Sequence, residues 1–574
     1  MKNLGRTCLF IFMLCIPIAS LAVPNQLAIH FSGVSGKVND NVKQALANLR
    51  NEVRHPLSPS SIQAFYSKAP RVIKSAIEPY GFFRARIQKS LTRNKNIWTA
   101  NFNIIPGAAI RISEVDLKIT GPGIHDRAFE RLHERFPLKA GHVLHTEEYE
   151  KAKQLLYDIA STRGYFKAKM LKSKIYINLI SYRARIVFQF ETGPRYFFGY
   201  TVFSDTPFDP RFLEKFLAYR EGERYNYRKI QKTQTDLINS NYFDQTIVHP
   251  VPKEAIGREV PINIELTPRK RFQYDLGLGY GTDTGPRGTL GFTVRRINAT
   301  GHRFHTLIQA SQKYSNATAS YLIPGANPIT DLYTFSAGYA DFDQVTGSGT
   351  SRKVSAKYTT AFGDWQQTFA LTYLNERYNI RSFPFTKSEV TYPSTSWQYI
   401  NTKNILKAKY GFRFSGFIAG TPKSGISKTA FSQIRVDLKL VTNLFKHTRI
   451  LMRTSMGHTD IRNLENLPFS LQFFAGGAQS IRGYRYNAIG PGRNLFTGSV
   501  EIQQRIKGDW YLAAFFDVGN VTDGNPFNSN KWFEGVGPGI VWVSPIGMLE
   551  VTVANAINQP NHPWLVQFTM GPAL

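Results

Sequence analysis

From about Phe272 to its end, the chain carries short segments in which apolar side chains occupy every second position. In WLVQFTMG (Trp564 to Gly571), Val566, Phe568 and Met570 face one way, with Gln567 and Thr569 opposite. In RGTLGFTVRRI (Arg287 to Ile297), Leu290, Phe292 and Val294 alternate with small or polar residues, and SVEIQQRI and YLAAFFDVG repeat the pattern. A period of two is that of β-strands, and it gives the two faces of a sheet unlike surroundings. Gly, Asn, Asp and Pro separate the segments, as turns require. Two architectures fit: a soluble sandwich or propeller, and a closed barrel with lipid outside and water inside. No blade-length repeat recurs, and the chain ends on a strand, as a barrel that joins first strand to last does. The expectation is therefore an all-β transmembrane barrel over 268–574. At roughly 18–20 residues per strand and connection, about 16 strands fit, an even number as in bacterial barrels.

The N-terminus reads as an export signal. Lys2 and Arg6 precede an apolar run from Cys8 to Leu21, and Ser20 and Ala22 occupy the −3 and −1 positions of a cleavage site. We expect a signal peptide over 1–22; as a membrane anchor the run is short of the ~20 residues a span needs. Both cysteines, Cys8 and Cys15, lie in it. The exported chain would carry no thiol, which excludes a disulfide framework, thiolate metal sites and a cysteine nucleophile. No HExxH, GxSxG or Walker string occurs, and the 12 histidines are scattered. We expect no enzyme, no cofactor and no metal site. The net charge of +31 suits an acidic surface. Nucleic acid is set aside because the chain is exported and ends in a barrel.

Between about residues 25 and 267, helical and strand patterns mix and recur. Aromatic turns follow helical stretches at YGFFRARI (80–87), RGYFKAKM (163–170) and NYFDQTIV (241–248). Strand–turn–strand strings recur at NFNIIPGAAIRI, VFQFETGPRYFF and INIELTPRKRFQY. The order is strand, helix, helix, strand, strand, three times. In the second unit the helices are read over His125 to Phe136 and Thr146 to Gly164. Gly81, Gly164 and Asn241 stand before the aromatic pairs, where a helix ends in the left-handed conformation.

Three such units ahead of a barrel resemble the POTRA domains of the BamA/TamA superfamily of outer-membrane assembly factors. The units are placed at 23–105, 106–192 and 193–267. Within SIRGYRY, which lies between FFAGGAQ and a glycine-proline turn IGPG, Ile481, Arg482, Gly483 and Tyr484 match the superfamily's [VI]-R-G-[FY] motif. The strings GYGTDTGPRG, SYLIPGANP, FFDVGNV, GVGPGIVWVSPIG and the terminal GPAL resemble the TamA branch, as does the count of three units. One strand departs: after SPIG the family continues Pro-x-Arg-x-Asp, whereas Met548, Glu550 and Thr552 stand here.

The resemblance implies that the motif loop folds back into the lumen, where acids on barrel strands hold its arginine. Glu501 sits between Val500 and Ile502, and Asp517 between Phe516 and Val518, so alternation turns both acids inward. Gly277, Gly279 and Gly281 weaken the first strand. With Gln567, Phe568 and Gly571 on the last, they mark a seam that could open to a client strand. The implied function is insertion or secretion of client proteins such as autotransporters through that seam. The implied partners are a TamB-like protein anchored in the inner membrane, unfolded outer-membrane clients, and lipid. The alternative is phospholipid transport with the same partner. A passive porin fits three periplasmic units and a plugged lumen poorly. The location implied is the outer membrane, with the POTRA-like units in the periplasm.

Overall fold

The computed structural model describes residues 25–571 apart from 54–56, 283–284, 381–383, 403, 405–407, 409, 529–530 and 546. The expected signal peptide and most of the terminal GPAL lie outside the described residues. Contacts divide the chain into two units, one of 1–200, 221–228 and 251–261, the other of 201–220, 229–250 and 262–574.

The first unit holds two repeats of one plan. In the first, Gln26–Ser32 runs parallel to the central strand Ile97–Ile105, and Arg86–Asn94 pairs antiparallel on its other side. Helices Gly36–Asn51 and Pro59–Ile77 cover this sheet, burying Val42, Leu46, Ile62 and Phe65 with Phe102 and Ile104. The second helix starts where Ser58 accepts from the Ser61 amide with Pro59 just inside, an arrangement typically worth about 1 kcal/mol. The second repeat has sheet order Arg111–Thr120, Arg183–Glu191, Lys169–Asn178. Its helix Thr146–Arg163 buries Tyr149, Ala152, Leu156 and Ala160 against Phe188 and Phe190. The single helix expected over His125 to Phe136 is instead three single turns, Pro122–His125, Arg127–Glu130 and Leu132–Arg135. Asp126 breaks it by adopting an extended backbone and capping the Ala128 amide.

A third sheet, order Phe197–Phe203, Glu259–Pro268, Phe243–Pro250, completes the series. Gly81, Gly164 and Asn241 all have left-handed backbones, with φ of 89°, 82° and 67°. Each releases the chain from a helix so that the following aromatic pair can turn toward the sheet. In the second unit, Phe208 stacks on Phe212, and Tyr242 and Phe243 meet these rings edge to face. The Phe212 ring fills the space where Gly301 lacks a side chain, and Tyr242 donates to the Gly301 carbonyl. This locks the third repeat's aromatics to the turn after the second barrel strand, Gly285–Val294.

The rest of that unit is one 16-stranded sheet in which every strand pairs antiparallel with the next barrel strand in sequence. Alternation decides the faces. Tyr333, Phe335 and Tyr339 point outward, as do Leu276, Leu290, Phe369, Leu371, Val551 and Val553. No helix among the described residues is long and apolar enough to cross a membrane; this architecture crosses with strands, whose ladders satisfy the backbone groups between neighbours in lipid. The wall is uneven. Gly347–Phe362 and Trp365–Ile380 have 16 residues each, whereas the first strand, Phe272–Gly281, has 10 and the last, Trp564–Gly571, has 8.

Candidate functional site

Between the strands Thr448–Asp460 and Asn494–Lys507, the chain leaves the wall and folds through the barrel interior. IGPG is not a turn: Ile489–Gly492 is a short strand paired antiparallel with Phe473–Ala475. Nearer its start, the Tyr378 hydroxyl donates to the carbonyls of Glu465 and Leu467, and the Ser470 amide donates to Glu376. Phe469 stacks between Phe342 and Phe474.

At the far end, Ile481, Arg482 and Tyr484 are almost wholly buried, at 0%, 1% and 1% exposure. The Arg482 guanidinium grips Asp517 with Nε (2.7 Å) and Nη2 (2.8 Å), the bidentate geometry that makes arginine–carboxylate pairs strong. Its Nη1 donates to Glu501 (2.5 Å) and Glu550 (3.0 Å), and Nη2 to the Ser499 hydroxyl (3.2 Å). The Arg482 amide also donates to Asp517, and the guanidinium lies 3.5 Å from the centre of the Phe515 ring. A buried unpaired charge costs several kcal/mol, so the surplus of carboxylates needs other cations. Arg453 approaches Asp517 at 4.0 Å, and buried Arg449 donates to Gln503, which in turn donates to Glu501.

The backbone around the arginine is held as closely. Gly483 has φ +90°, and a Cβ there would sit 3.0 Å from the Ala556 nitrogen. Its amide donates to Gln567 Oε1 (3.1 Å), while Gln567 Nε2 donates to the Tyr484 carbonyl (3.3 Å). The Tyr484 hydroxyl reaches the Glu534 carbonyl. Gly535 and Gly519 supply the room: a Cβ at Gly535 would fall 2.0 Å from the Arg482 oxygen, and one at Gly519 2.9 Å from Ile481. Arg482, Gly483 and Tyr484 are thus bonded to strands Asn494–Lys507, Trp510–Thr522, Phe533–Ser544, Gly547–Ala556 and Trp564–Gly571.

Asp517 and Glu501 both meet the arginine. Glu550, on the strand that departs from the family pattern, meets it too and was missed. Its signal was present, an acid between Leu549 and Val551 that alternation turns inward, as it does Glu501. Of the residues placed at the seam, Gln567 binds the motif loop. Gly277, Gly279 and Gly281 pair only with Thr289, Arg287 and Gly285 of the next strand, and Gly571 with Met548 of the preceding one. Among the described residues no ladder joins the first strand to the last; the Phe568 amide donates to the Thr282 hydroxyl at 3.2 Å. Tyr274, Leu276 and Leu278 of the first strand are at least 77% exposed. No group of three His, Cys, Asp or Glu among the described residues is disposed to hold a metal.

Comparison with known proteins gives two family models. The Omp85 superfamily domain matches residues 257–572, and the first POTRA domain of TamA matches residues 29–106. The outer membrane protein assembly factor BamA of Neorickettsia risticii is 23% identical over 396 residues, which are 60% of this chain and 50% of that protein. The chain therefore spans about half the length of this relative. The crystal structure of BamA from Haemophilus ducreyi lacking POTRA domains 1–3 superposes with a TM-score of 0.69 at 17% identity, covering 80% of this chain and 99% of that one.

Proposed function

This chain belongs to the Omp85 superfamily, an outer-membrane β-barrel with N-terminal POTRA domains, and on that premise we propose that it inserts or secretes client proteins through the seam between Phe272–Gly281 and Trp564–Gly571. The observation that carries this reading is the open sheet: among the described residues its two ends face each other with one hydrogen bond where a ladder would stand. Unpaired edge strands present rows of N–H and C=O groups that another strand can satisfy. In lipid such groups have no other partner, so a client strand lowers the free energy by docking there. The edge strands are also the short side of the wall, where the bilayer must thin to match them.

In this reading the motif loop is an internal strut. Arg482, gripped by Asp517, Glu501 and Glu550, stiffens the wall on the last-strand side, and Gln567 fixes that edge against the loop. The first strand is left as the mobile lip. The three repeats, at 23–105, 106–192 and 193–267, receive clients in the periplasm. The TamA-type first repeat supports a TamB-like inner-membrane-anchored partner, and autotransporters are the client class we assign. The work is strand pairing, with no bond made or broken by the protein.

The test is a cysteine pair at Thr282 and Phe568 in a sequence whose own cysteines both precede residue 23. Assembly of an autotransporter should stop when the disulfide forms and resume on reduction. Normal assembly with the bond fully formed would dismiss the gate.

A further inference from the structure

The first unit carries a cleft of about 590 Å³, lined by the second repeat with Asn226 and Arg228 of the third, that neither the barrel nor the strut uses. That volume is within the usual range of small-ligand sites, roughly 300–1,000 Å³. Its rim is arginine: Arg127 and Arg135 from the two single-turn α-helices, Arg131 between them, Arg163 from the end of Thr146–Arg163, and Arg228. Arg163 is committed to buried Asp126, which it meets at 2.8 Å. The other four enter no ion pair among the described residues, and the lone acid on the rim, Asp158, accepts from Gln154. Four unpaired guanidiniums around one cleft repel each other, so an anion with several acceptor oxygens would lower the free energy of the cluster.

The floor is of the opposite kind. Leu132 is buried, and Leu155 and Ile159, four residues apart on one helix face, are half-buried beside it. A free phosphate has nothing to place on such a floor. An acidic peptide spreads its charges along several residues, whereas this cationic rim surrounds one small volume. We propose that this cleft binds a single anionic phospholipid, with the headgroup phosphate on Arg127, Arg131, Arg135 and Arg228 and the first acyl carbons on Leu132, Leu155 and Ile159. Arg127, Arg131 and Arg135 stand four residues apart along this segment and share one rim of the cleft. The inference goes beyond the seam reading and stands whether or not that reading holds.

The test uses the full exported chain in uncharged detergent, carrying a polarity-sensitive dye on Thr162→Cys, which lies in the cleft. The probe is dihexanoyl phosphatidylglycerol. It should give a saturable signal that weakens as salt rises. Two lost charge-assisted contacts in Arg131→Ala/Arg135→Ala should weaken binding about tenfold or more. Leu155→Ser should weaken the lipid and leave glycerol phosphate unchanged. Three results would overturn the proposal: equal affinity for dihexanoyl phosphatidylcholine, glycerol phosphate or inorganic phosphate binding as tightly as the lipid, or an oligoglutamate peptide binding more tightly. Unchanged lipid affinity in the double arginine variant would do so as well.

Discussion

Replacing Arg482 with alanine is the sharpest test of the internal strut. The substitution removes five side-chain hydrogen bonds, to Asp517 twice, Glu501, Glu550 and Ser499. It strands three carboxylates whose side chains are 0%, 5% and 9% exposed. Breaking a buried ion pair from one side typically costs about 3–5 kcal/mol, because the partner charge stays behind uncompensated. Arg453 is 4.0 Å from Asp517 and recovers part of this, so we expect the lower end of that range. Arg482→Lys keeps the charge but not the fork that spans Asp517 and Glu501, and should fall between. The carboxylates repel one another once the guanidinium is gone. Arg482→Ala should therefore cost less in a Glu550→Gln background, with a coupling of about 0.5–3 kcal/mol. Urea unfolding in micelles, followed by tryptophan fluorescence, measures all four variants. If Arg482→Ala unfolds within about 1 kcal/mol of the parent, the buried cluster is not under the electrostatic load described and the reasoning fails.

Three further outcomes are expected. Gly535→Ala should push the loop off the wall, since its Cβ would sit 2.0 Å from the Arg482 oxygen, at a cost of about 1–3 kcal/mol; a crystal structure with the loop unmoved would contradict this. Gln567→Ala leaves the Gly483 amide buried without its acceptor, about 1–3 kcal/mol, and should speed hydrogen exchange across Trp564–Gly571 more than across the far wall. In the second repeat, burial alone would raise the Asp126 pKa, but hydrogen bonds from Arg163 and the Ala128 amide, with the charge of Arg195, outweigh it and hold the carboxyl below its ordinary value. A depressed native pKa means stability that is fully present above the unfolded value, about 3.9, and lost as the pH falls through the native one. Exchange protection of Thr146–Arg163 should fall in that window, and Asp126→Asn should flatten the response; equal acid sensitivity in both would exclude Asp126 as its source.

The barrel was legible because lipid on one side and water on the other force a period of two, and about 16 strands follow from length alone. The same parity turned Glu501 and Asp517 inward. It also turned Glu550 inward, but reading that strand by its departure from a family pattern hid an acid with the same local signature. What Gln567 does was not legible, since it bonds a backbone 83 residues away and no local pattern records that. Gly519 and Gly535 read as ordinary strand glycines until the Ile481 side chain and the Arg482 carbonyl are seen against them. The broken helix at Arg127–Glu130 was missed because its helical periodicity continues across Asp126, whereas the backbone of Asp126 is extended.

The order of the barrel strands has a consequence for how the barrel is made. Each pairs with its successor, so the wall can be laid down hairpin by hairpin, and each new pairing closes only a modest loop. The one step that must bring distant segments together is the meeting of Thr282 with Phe568, 286 residues apart. The entropic cost of closing a loop grows with its length, so this is the most expensive pairing in the barrel. It is also the one where the protein makes least, a single hydrogen bond among the described residues in place of a ladder. On the proposed reading, the cylinder would be completed last and reopened first, at the same place and for the same reason.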